Sequence, residues 1–354
     1  MSEGPQHGLP DEGFPDEGPR HEPVLLTEVV NWLRASEGGL FVDCTVGLGG
    51  HAEAILDASP KTRVIGFDRD MESMELATSR LERFGNRFIG NQANFKELKA
   101  VLELHSVVKA AGILADLGIS SFQLDSADRG FSFQTEAPLD MRMDRGGGAT
   151  AADLVNRMSE TELADIIYKF GEERGARKIA RAIVSERRHQ PITTTTQLAR
   201  IIVRALNVPG RWRIHPATRT FQALRIAVNA ELEGLAEFVS IAAGYLEPSG
   251  RLAVISFHSL EDGIIKRAFR LAAGQCQCQP RRHAPGHLGY VDRAMRKEEP
   301  TAFDDQTDKV LCDRCGARKL VDILTKKPIQ PSQDEVRRNP RARSARMRVC
   351  ARLH

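Results

Sequence analysis

The stretch Leu40–Ala54 (LFVDCTVGLGGHAEA) constrains the fold of this chain more than any other part of it. An apolar, β-prone run at 40–42 leads to the glycine-containing turn Val46–Gly50, and a helical pattern begins at His51. Glycine permits a sharp turn and lets a ligand approach the backbone closely. The order of strand, glycine turn and helix predicts a nucleotide-binding βα unit that opens a doubly wound α/β sheet.

The glycines alone do not identify the ligand, and two other interpretations stay open at this point. The spacing Gly47-x-Gly49-x-x-Ala52 also fits a relaxed dinucleotide fingerprint, which indicates NAD, and short glycine motifs also occur in structural turns that bind nothing. The second predicted strand, Arg63–Phe67, is followed directly by Asp68. A carboxylate at that point can bond both hydroxyls of an adenosine ribose, so the two features together favour an adenosine-bearing ligand.

Length and composition are those of an ordinary globular protein. The chain has 354 residues, of which 41% are hydrophobic and 27% charged, enough for one large domain and a smaller one. No apolar run approaches the roughly 18 residues that indicate a membrane span. The N-terminus lacks the basic region and apolar core of a secretion signal. Together these absences predict a cytoplasmic protein with no membrane partner.

Further apolar runs predict the remaining strands, and longer amphipathic patterns predict helices. The predicted strands are Arg87–Ile89, Ala111–Ala115, Arg251–Phe257 and, as the last one, Val321–Leu324. The predicted helices include Met71–Phe84, Ser159–Phe170, Ala176–Arg188, Thr193–Leu206 and, as one long helix, Phe221–Tyr245. Strands one, two and four each end with an acidic residue, and doubly wound sheets bind ligands at those carboxyl ends.

The alternation of strands and helices stops in the middle of the chain and then resumes, which predicts an inserted domain. Residues 1–20, rich in Gly, Pro, Asp and Glu, predict a disordered acidic tail. Residues 21–121 and 224–354 are assigned to the sheet domain, with a cysteine-containing insertion at 274–317. Residues 122–223 are assigned to an inserted, all-helical domain that we expect to recognise the substrate.

Arginine is dense in the predicted insertion and near the C-terminus, although the net charge is only +3. Arginine matches phosphate with two parallel hydrogen bonds, and planar side chains stack on unpaired bases, so the pattern is typical of a nucleic-acid partner. For any single cluster the alternative is a solvated helix surface. The basic and aromatic residues in question are Arg174, Arg177, Lys178, Arg181, Arg187, Arg188, Arg200, Arg204, Arg211, Arg213 and Arg219 in the insertion, Arg337, Arg338, Arg341, Arg343, Arg346 and Arg348 near the C-terminus, and the aromatics Phe131, Phe133, Trp212 and Phe221.

Four of the six cysteines form two close pairs, Cys276-x-Cys278 and Cys312-x-x-Cys315. In a chain expected to be cytoplasmic, two such pairs favour a tetrahedral thiolate zinc site over disulfides. The first pair is tighter than the usual spacing, and the alternative is a set of reduced cysteines in a surface loop. The sequence therefore predicts a structural zinc ion without a catalytic role.

Motifs distributed over residues 21 to 350 resemble those of the RsmH (MraW) family of methyltransferases. The acidic tail and the paired cysteines depart from the commonest family pattern. The matching segments are 21–26 (HEPVLL), 47–51 (GLGGH), 68–70 (DRD), 116–121 (DLGISS), 123–125 (QLD), 129–133 (RGFSF), 138–144 (PLDMRMD), 171–174 (GEER), 215–222 (HPATRTFQ), 256–262 (SFHSLED) and 339–344 (NPRARS).

The resemblance implies the Rossmann-like sheet of a class I methyltransferase and a reaction. The family uses S-adenosylmethionine to methylate the N4 amine of a decoding-centre (P-site) cytidine in the 16S RNA of the small ribosomal subunit. Two other functions remain open: an NAD-dependent dehydrogenase, for which no residue set organises a hydride acceptor, and a noncatalytic ribosomal RNA-binding assembly factor that keeps the fold.

The resemblance also implies which residues hold the cofactor. The glycine turn would cradle the methionine end of S-adenosylmethionine, Asp68 would bond the ribose, and Phe95 would pack on adenine. Asp116 and Gln123 would lie near the adenine or the transfer site. If the cofactor does not occupy Asp116, this residue is our candidate to accept a hydrogen of the cytosine amine, and no catalytic residue is assigned. Without the resemblance, His51 could act through its backbone only and Phe95 could be a core residue. The implied set is Gly49, Gly50, His51, Asp68, Phe95, Asp116 and Gln123.

Overall fold

The computed structural model of the protein describes residues 23–207, 214–276, 278, 310–312 and 315–354. The predicted disordered tail, 1–20, lies outside the described residues, as do Arg211, Trp212 and Arg213. The strands of the described residues, numbered in chain order, are β1 Gly39–Asp43, β2 Thr62–Asp68, β3 Phe88–Gln92, β4 Ala110–Asp116, β5 Leu246–Ser256, β6 Val310–Cys312, β7 Ala317–Arg318, β8 Val321–Ile323 and β9 Arg346–Arg352.

The α-helices pack around these strands, and several of them lie in the predicted insertion. In the part of the chain that the structure describes they are α1 Leu26–Leu33, α2 Gly50–Asp57, α3 Met71–Leu81, α4 Leu98–Leu104, α5 Ser121–Asp125, α6 Ala151–Arg157, α7 Glu160–Gly171, α8 Ala176–Glu186, α9 Thr195–Leu206, α10 Thr218–Asn229, α11 Leu235–Tyr245, α12 Ser259–Ala272 and α13 Gln333–Arg338. None of the helices described is long and apolar enough to cross a membrane.

Seven strands form the main sheet in the order β3-β2-β1-β4-β5-β9-β8. The strands β1 to β5 run parallel, whereas β9 is antiparallel to both of its neighbours. The chain builds outward from β1 to β3 and then returns to place β4 on the other side of β1. This reversal is the switch point at which doubly wound sheets bind ligands, and the predicted doubly wound α/β sheet is confirmed.

Both faces of the sheet are covered by helices, as a mostly parallel sheet requires. One face buries Phe67, Ile113 and Phe238 with α4, α11 and α12. The opposite face buries Phe41 and Ile55 with α1 and α2. The apolar composition of the central strands follows from this burial, because neither face of them meets water.

The helices between residues 131 and 224 have an apolar core of their own, with Leu163, Ile179 and Leu198 among its buried residues. Capping boxes start three of these helices; in α9, for example, Thr194 accepts from the N–H of Gln197. The predicted return to the sheet domain at residue 224 falls within α10, and the division into domains stays a prediction.

A buried ion pair joins the insertion to the sheet. The Arg129 Nη2 donates to Asp70 Oδ2 at 2.6 Å and to the Met143 carbonyl at 2.8 Å, and both charged side chains are almost fully buried. Gln123 Nε2 donates to the same Asp70 oxygen at 2.7 Å. Asp70 lies two residues beyond the end of β2, so these bonds fix the start of the insertion beside the tip of that strand.

Replacing Arg129 with methionine should lower the free energy of unfolding by about 3–5 kcal/mol, because the Asp70 carboxylate would remain buried without its cation. Urea denaturation followed by circular dichroism measures the loss. The matched control is Arg145→Met, which breaks the exposed Arg145–Asp128 pair and should change stability by less than about 1 kcal/mol. Equal, small losses in both variants would contradict a structural role for the buried pair.

Two predicted elements are wrong. The single helix predicted at Phe221–Tyr245 is two helices, because Ala230 and Gly234 adopt left-handed φ values of 48° and 71°. The strand at 321–323 is not the last: β9 follows it and completes the sheet. The arginines of β9 hid its strand pattern, yet Arg348 is buried there and pairs with Asp262 at 2.7 Å, so it is not a free basic residue of the tail.

Candidate functional site

A cavity of about 360 Å³ opens at the carboxyl ends of β1, β2 and β4. Its volume lies within the range of small-molecule sites, about 300–1,000 Å³. It lies where the strand order reverses between β1 and β4, the expected ligand position in this architecture. Of the seven residues predicted to hold a cofactor, those on its wall are Gly50, His51, Asp68, Phe95, Asp116 and Gln123.

The glycines of the turn have different tasks. Gly47 has a φ of 53°, lines the cavity and donates its N–H to Asp68 Oδ2 at 2.9 Å. Gly49, the predicted residue that does not line the cavity, has a φ of 83° and caps α2. Gly50 packs against the Pro23 ring, which a Cβ would strike. Glycine is therefore required by backbone conformation at two positions and by packing at the third.

Asp68 is held rigidly at the end of β2. Its Oδ2 accepts from Gly47 and its Oδ1 accepts from the N–H of Asp70, both at 2.9 Å. Burial raises the pKa of this carboxyl above its usual value, and the two backbone hydrogen bonds reduce that rise. Each carboxylate oxygen has a second lone pair, so Asp68 can still accept from a ligand hydroxyl on the cavity side.

Asp116, at the end of β4, presents an unsatisfied carboxylate oxygen. Its Oδ2 lies 3.7 Å from His51 Nδ1, whereas its Oδ1 is buried and has no hydrogen-bond partner among the described residues. Burial raises the pKa of Asp116 well above its usual value, and the charges of Asp43 and Glu261 raise it further. Buried polar atoms are rarely left unpaired, so this oxygen lacks a donor among the described residues.

The side chain of His51, and not only its backbone, makes contacts at the cavity wall. Its ring lies between Asp116 and the Val24 carbonyl, which is 2.9 Å from Nε2. The Thr45 hydroxyl also fixes this corner, because it accepts from the N–H of Asp116 at 2.6 Å. The cavity wall between β1 and β4 is thus assembled from backbone and side-chain bonds together.

Phe95 and Gln123 line the cavity while serving the protein as well. The Phe95 ring packs edge-on against Phe238, with 5.5 Å between the ring centres. Both polar groups of Gln123 are engaged, since Oε1 accepts from the Ser120 N–H at 3.1 Å and Nε2 donates to Asp70. Contact of Phe95 and Gln123 with a cofactor stays a prediction. The hydrogen bonds of Gln123 hold the loop after β4 in place.

The cavity is also lined by the charged residues Arg225, Glu231 and Glu261, which were not predicted from the sequence. Arg225 makes a two-bond pair with Glu231, at 2.9 and 2.8 Å. Glu261 accepts from the Phe257 N–H at 2.9 Å and lies 3.2 Å from His258 Nε2. Burial would raise the pKa of Glu261, but the His258 hydrogen bond and the charges of His258 and Arg225 outweigh it and lower that pKa.

These charged residues could not be grouped from the sequence. Glu231 follows a helix break that was not predicted, and Glu261 is recognisable only as a first-turn residue of a helix. Two further parts of the chain complete the wall. Leu124 and Met143 come from the predicted insertion, and three residues come from the segment 339–344, namely Asn339, Arg341 and Ser344.

The sheet, its antiparallel strand β9 and the cavity at the switch point define a Rossmann-like class I methyltransferase fold, as predicted. The chain matches the MraW methylase family over residues 18–288 and 289–353. It therefore belongs to that family, and the resemblance seen in its motifs is confirmed. Membership in a methylase family argues against the NAD-dependent alternative.

Similar proteins span nearly the whole chain. A ribosomal RNA small subunit methyltransferase H from Syntrophobacter fumaroxidans is 46% identical and covers 93% of this chain and 95% of its own length. The protein of the same name from Geobacter sulfurreducens is 47% identical, with 94% and 99% covered. A solved S-adenosylmethionine-dependent O-methyltransferase from Thermotoga maritima is a distant likeness, at 9% identity and a TM-score of 0.38, with 95% of this chain and 68% of that chain covered.

Proposed function

We propose that this protein transfers a methyl group from S-adenosylmethionine to the N4 amine of a decoding-centre (P-site) cytidine in the 16S RNA of the small ribosomal subunit. The observation that carries the proposal is the cavity that Asp68 and Asp116 share at the tips of neighbouring parallel strands. The names of the relatives support a ribosomal RNA substrate, and with such a substrate we propose that the protein acts in the cytoplasm, where ribosomes are.

The residues on the cavity wall fit the proposed cofactor. Asp68 suits the ribose hydroxyls, and Phe95 offers an apolar face for adenine. At Gly47 a Cβ would meet nothing closer than Ser120 at 3.9 Å, so the glycine leaves its side of the cavity open to the methionine end. When bound, S-adenosylmethionine supplies an electrophilic methyl group on a sulfonium that leaves readily.

Asp116 is proposed to act on the cytosine amine. The lone pair of this amine is delocalised into the ring, so an acceptor for one of its hydrogens makes it a better nucleophile. The unpartnered Oδ1 of Asp116 is a suitable acceptor. The remaining contribution of the protein is to align the amine and exclude water, which the walls from 23–24, 339–344 and the insertion would do.

A cytosine must be unpaired or turned out of its stack to enter such a cavity. The loop at 171–174 contacts the start of α12, because Glu172 Oε2 accepts from the Ser259 hydroxyl at 2.5 Å. The same end of α12 carries Glu261, which lines the cavity. Two residues beyond Glu172, the exposed side chains of Arg174, Arg177 and Lys178 begin a basic stretch. We propose that this stretch contacts RNA phosphates near the target base.

The aromatic residues support base stacking less well than predicted. Phe131 and Phe221 are 8% and 4% exposed and belong to the core of the insertion, so they pack inside it. Phe133 is partly exposed, but its ring stacks on His215, with 4.6 Å between the ring centres. Of the four aromatics, Trp212 lies outside the described residues.

The double change Arg174→Ala with Arg177→Ala should weaken RNA binding roughly 10-fold and reduce the slope of log affinity against log salt by about 1.4, as expected for two lost phosphate contacts. Filter binding to small subunits at several salt concentrations measures both values. The matched control replaces Lys61 and Arg63 with alanine. These two exposed basic residues lie at the start of β2, at the opposite end of the strand from Asp68. Equal effects in both pairs would remove the insertion from the RNA surface.

The activity itself is tested by labelled-methyl transfer to small subunits that lack the modification, with mass spectrometry of the nucleosides. We expect one methyl group on the N4 of a single cytidine. Transfer to another atom or base would refute the proposed specificity. Binding of the RNA without any transfer would instead support the noncatalytic assembly factor.

A further inference from the structure

The four paired cysteines converge on one point of the fold. The Sγ atoms of Cys276, Cys278, Cys312 and Cys315 all lie within 4.8 Å of one another. Individual Sγ–Sγ distances are 3.4 Å for Cys276–Cys312, 3.6 Å for Cys276–Cys315 and 3.8 Å for Cys278–Cys312. We propose that these four thiolates bind one structural Zn²⁺ ion.

The spacing of the sulfur atoms fits zinc and does not fit disulfides. A tetrahedral site with Zn–S bonds of about 2.3 Å separates its sulfur atoms by about 3.8 Å. A disulfide would bring two sulfur atoms to about 2.05 Å, and none of the described cysteines forms one. Four thiols this close together, with no disulfide between them, offer a complete set of sulfur ligands to a soft cation.

The local backbone adds a second, independent feature of thiolate metal sites. Gly316, with a φ of 67°, follows Cys315 and donates its N–H to the Cys312 carbonyl at 2.9 Å, which closes the turn between β6 and β7. The Cys278 N–H donates to Cys276 Sγ at 3.4 Å. Such N–H···S bonds stabilise metal-bound thiolates and orient them.

The position of the cluster indicates a structural task. Cys276 lies just beyond the end of α12, and the hairpin β6–β7 returns to that end, where the Leu320 N–H donates to the Ala272 carbonyl at 2.7 Å. The other end of α12 carries Glu261 on the cavity wall. With fourteen residues, this helix keeps the two sites about 20 Å apart. The ion would therefore fix the helix and hairpin without taking part in methyl transfer.

The first test is the metal content of the full-length chain, purified under reducing conditions without a metal-affinity step and without added metal. We expect about one zinc per chain by elemental analysis. Cys312→Ser and Cys315→Ser should each lose most of it, whereas the matched control Cys350→Ala, which removes a buried cysteine of β9, should keep it. A ratio near zero in the unaltered protein, or iron in place of zinc, overturns the proposal.

A second measurement does not depend on the folding of serine variants. The unaltered protein with Co²⁺ in place of Zn²⁺ should show the intense visible bands of tetrahedral thiolate coordination and the charge-transfer band of sulfur ligands. Cys315→His should retain the metal with a weaker charge-transfer band, because one sulfur ligand becomes nitrogen. Bands of octahedral cobalt, or a mass that reveals disulfides between these cysteines, would count against the site.

Discussion

Replacing Asp116 with asparagine is expected to slow methyl transfer by about 10²–10⁴-fold while leaving the affinity for S-adenosylmethionine within a few fold. The reason is the unpartnered Oδ1, which is buried on the cavity wall and suited to accept a hydrogen from the cytosine amine. Asparagine keeps the shape of the side chain but presents a weaker acceptor. Single-turnover transfer to unmodified small subunits, with calorimetry of cofactor binding, separates the two effects.

The pH dependence of transfer provides an independent check on Asp116. Only the ionised carboxylate is a strong acceptor, and the pKa of Asp116 is raised well above its usual value by burial and then by the charges of Asp43 and Glu261. The rate for the unaltered protein should therefore fall as the pH is lowered through this raised pKa. The asparagine variant should lack that dependence.

Asp43→Asn is the matched control for the Asp116 prediction. Asp43 is a second buried carboxyl at a strand tip, its pKa is raised by burial to about 7, and it does not line the cavity. Removing its charge should move the acid side of the pH profile to lower pH and leave the rate at high pH nearly unchanged. If Asp43→Asn and Asp116→Asn slow transfer equally, Asp116 has no specific role.

Replacing Asp68 with alanine should weaken the binding of S-adenosylmethionine by about 100-fold or more. Hydrogen bonds to a charged group contribute about 1.5–3 kcal/mol each, and two ribose hydroxyls would lose their acceptor. The same change frees the Gly47 and Asp70 N–H groups, which loosens the turn itself. Isothermal titration calorimetry with the cofactor gives the affinity directly.

Two comparisons keep the Asp68 result interpretable. Asp68→Asn keeps an oxygen acceptor and should fall between the alanine variant and the unaltered protein. Asp57→Ala removes an exposed aspartate of α2 that pairs with Arg83, and this change should leave cofactor affinity unchanged. Unaltered affinity in Asp68→Ala, with the protein still folded by circular dichroism, would refute the proposed cofactor pocket.

The elements that the sequence predicted well are those with strong local signals. The run before Gly47 gave β1, and the apolar stretch 111–115 gave β4, because strands buried on both faces are apolar throughout. The acidic residues Asp68 and Asp116 follow directly after such apolar runs, and they end β2 and β4. The carboxyl ends of parallel strands share one edge, so Asp68 and Asp116 were expected to meet at one site, and both line the cavity.

The features that were missed depend on contacts between distant parts of the chain. Nothing near Arg129 in sequence indicates that it is buried against Asp70, 59 residues away. The break after Asn229 has no glycine or proline at the left-handed residue Ala230, and Asn229 is held there by bonds to Met141 and Met143. The arginines of β9 make its sequence look like a polar tail. Arg348 can be buried in this strand only because it pairs with Asp262 of α12, which lies far away in the sequence.

By itself, the sequence determined the type of sheet, the edge of the sheet at which the cavity opens, the family and the presence of helices between residues 151 and 206, because all of these are recorded in local periodicity and short motifs. The tertiary structure decided which oxygen of Asp116 stays unpaired, which arginines are buried in ion pairs and which remain exposed, and that Arg225, Glu231 and Glu261 share the cavity. Burial and pairing are properties of three-dimensional neighbours, and no local pattern records them.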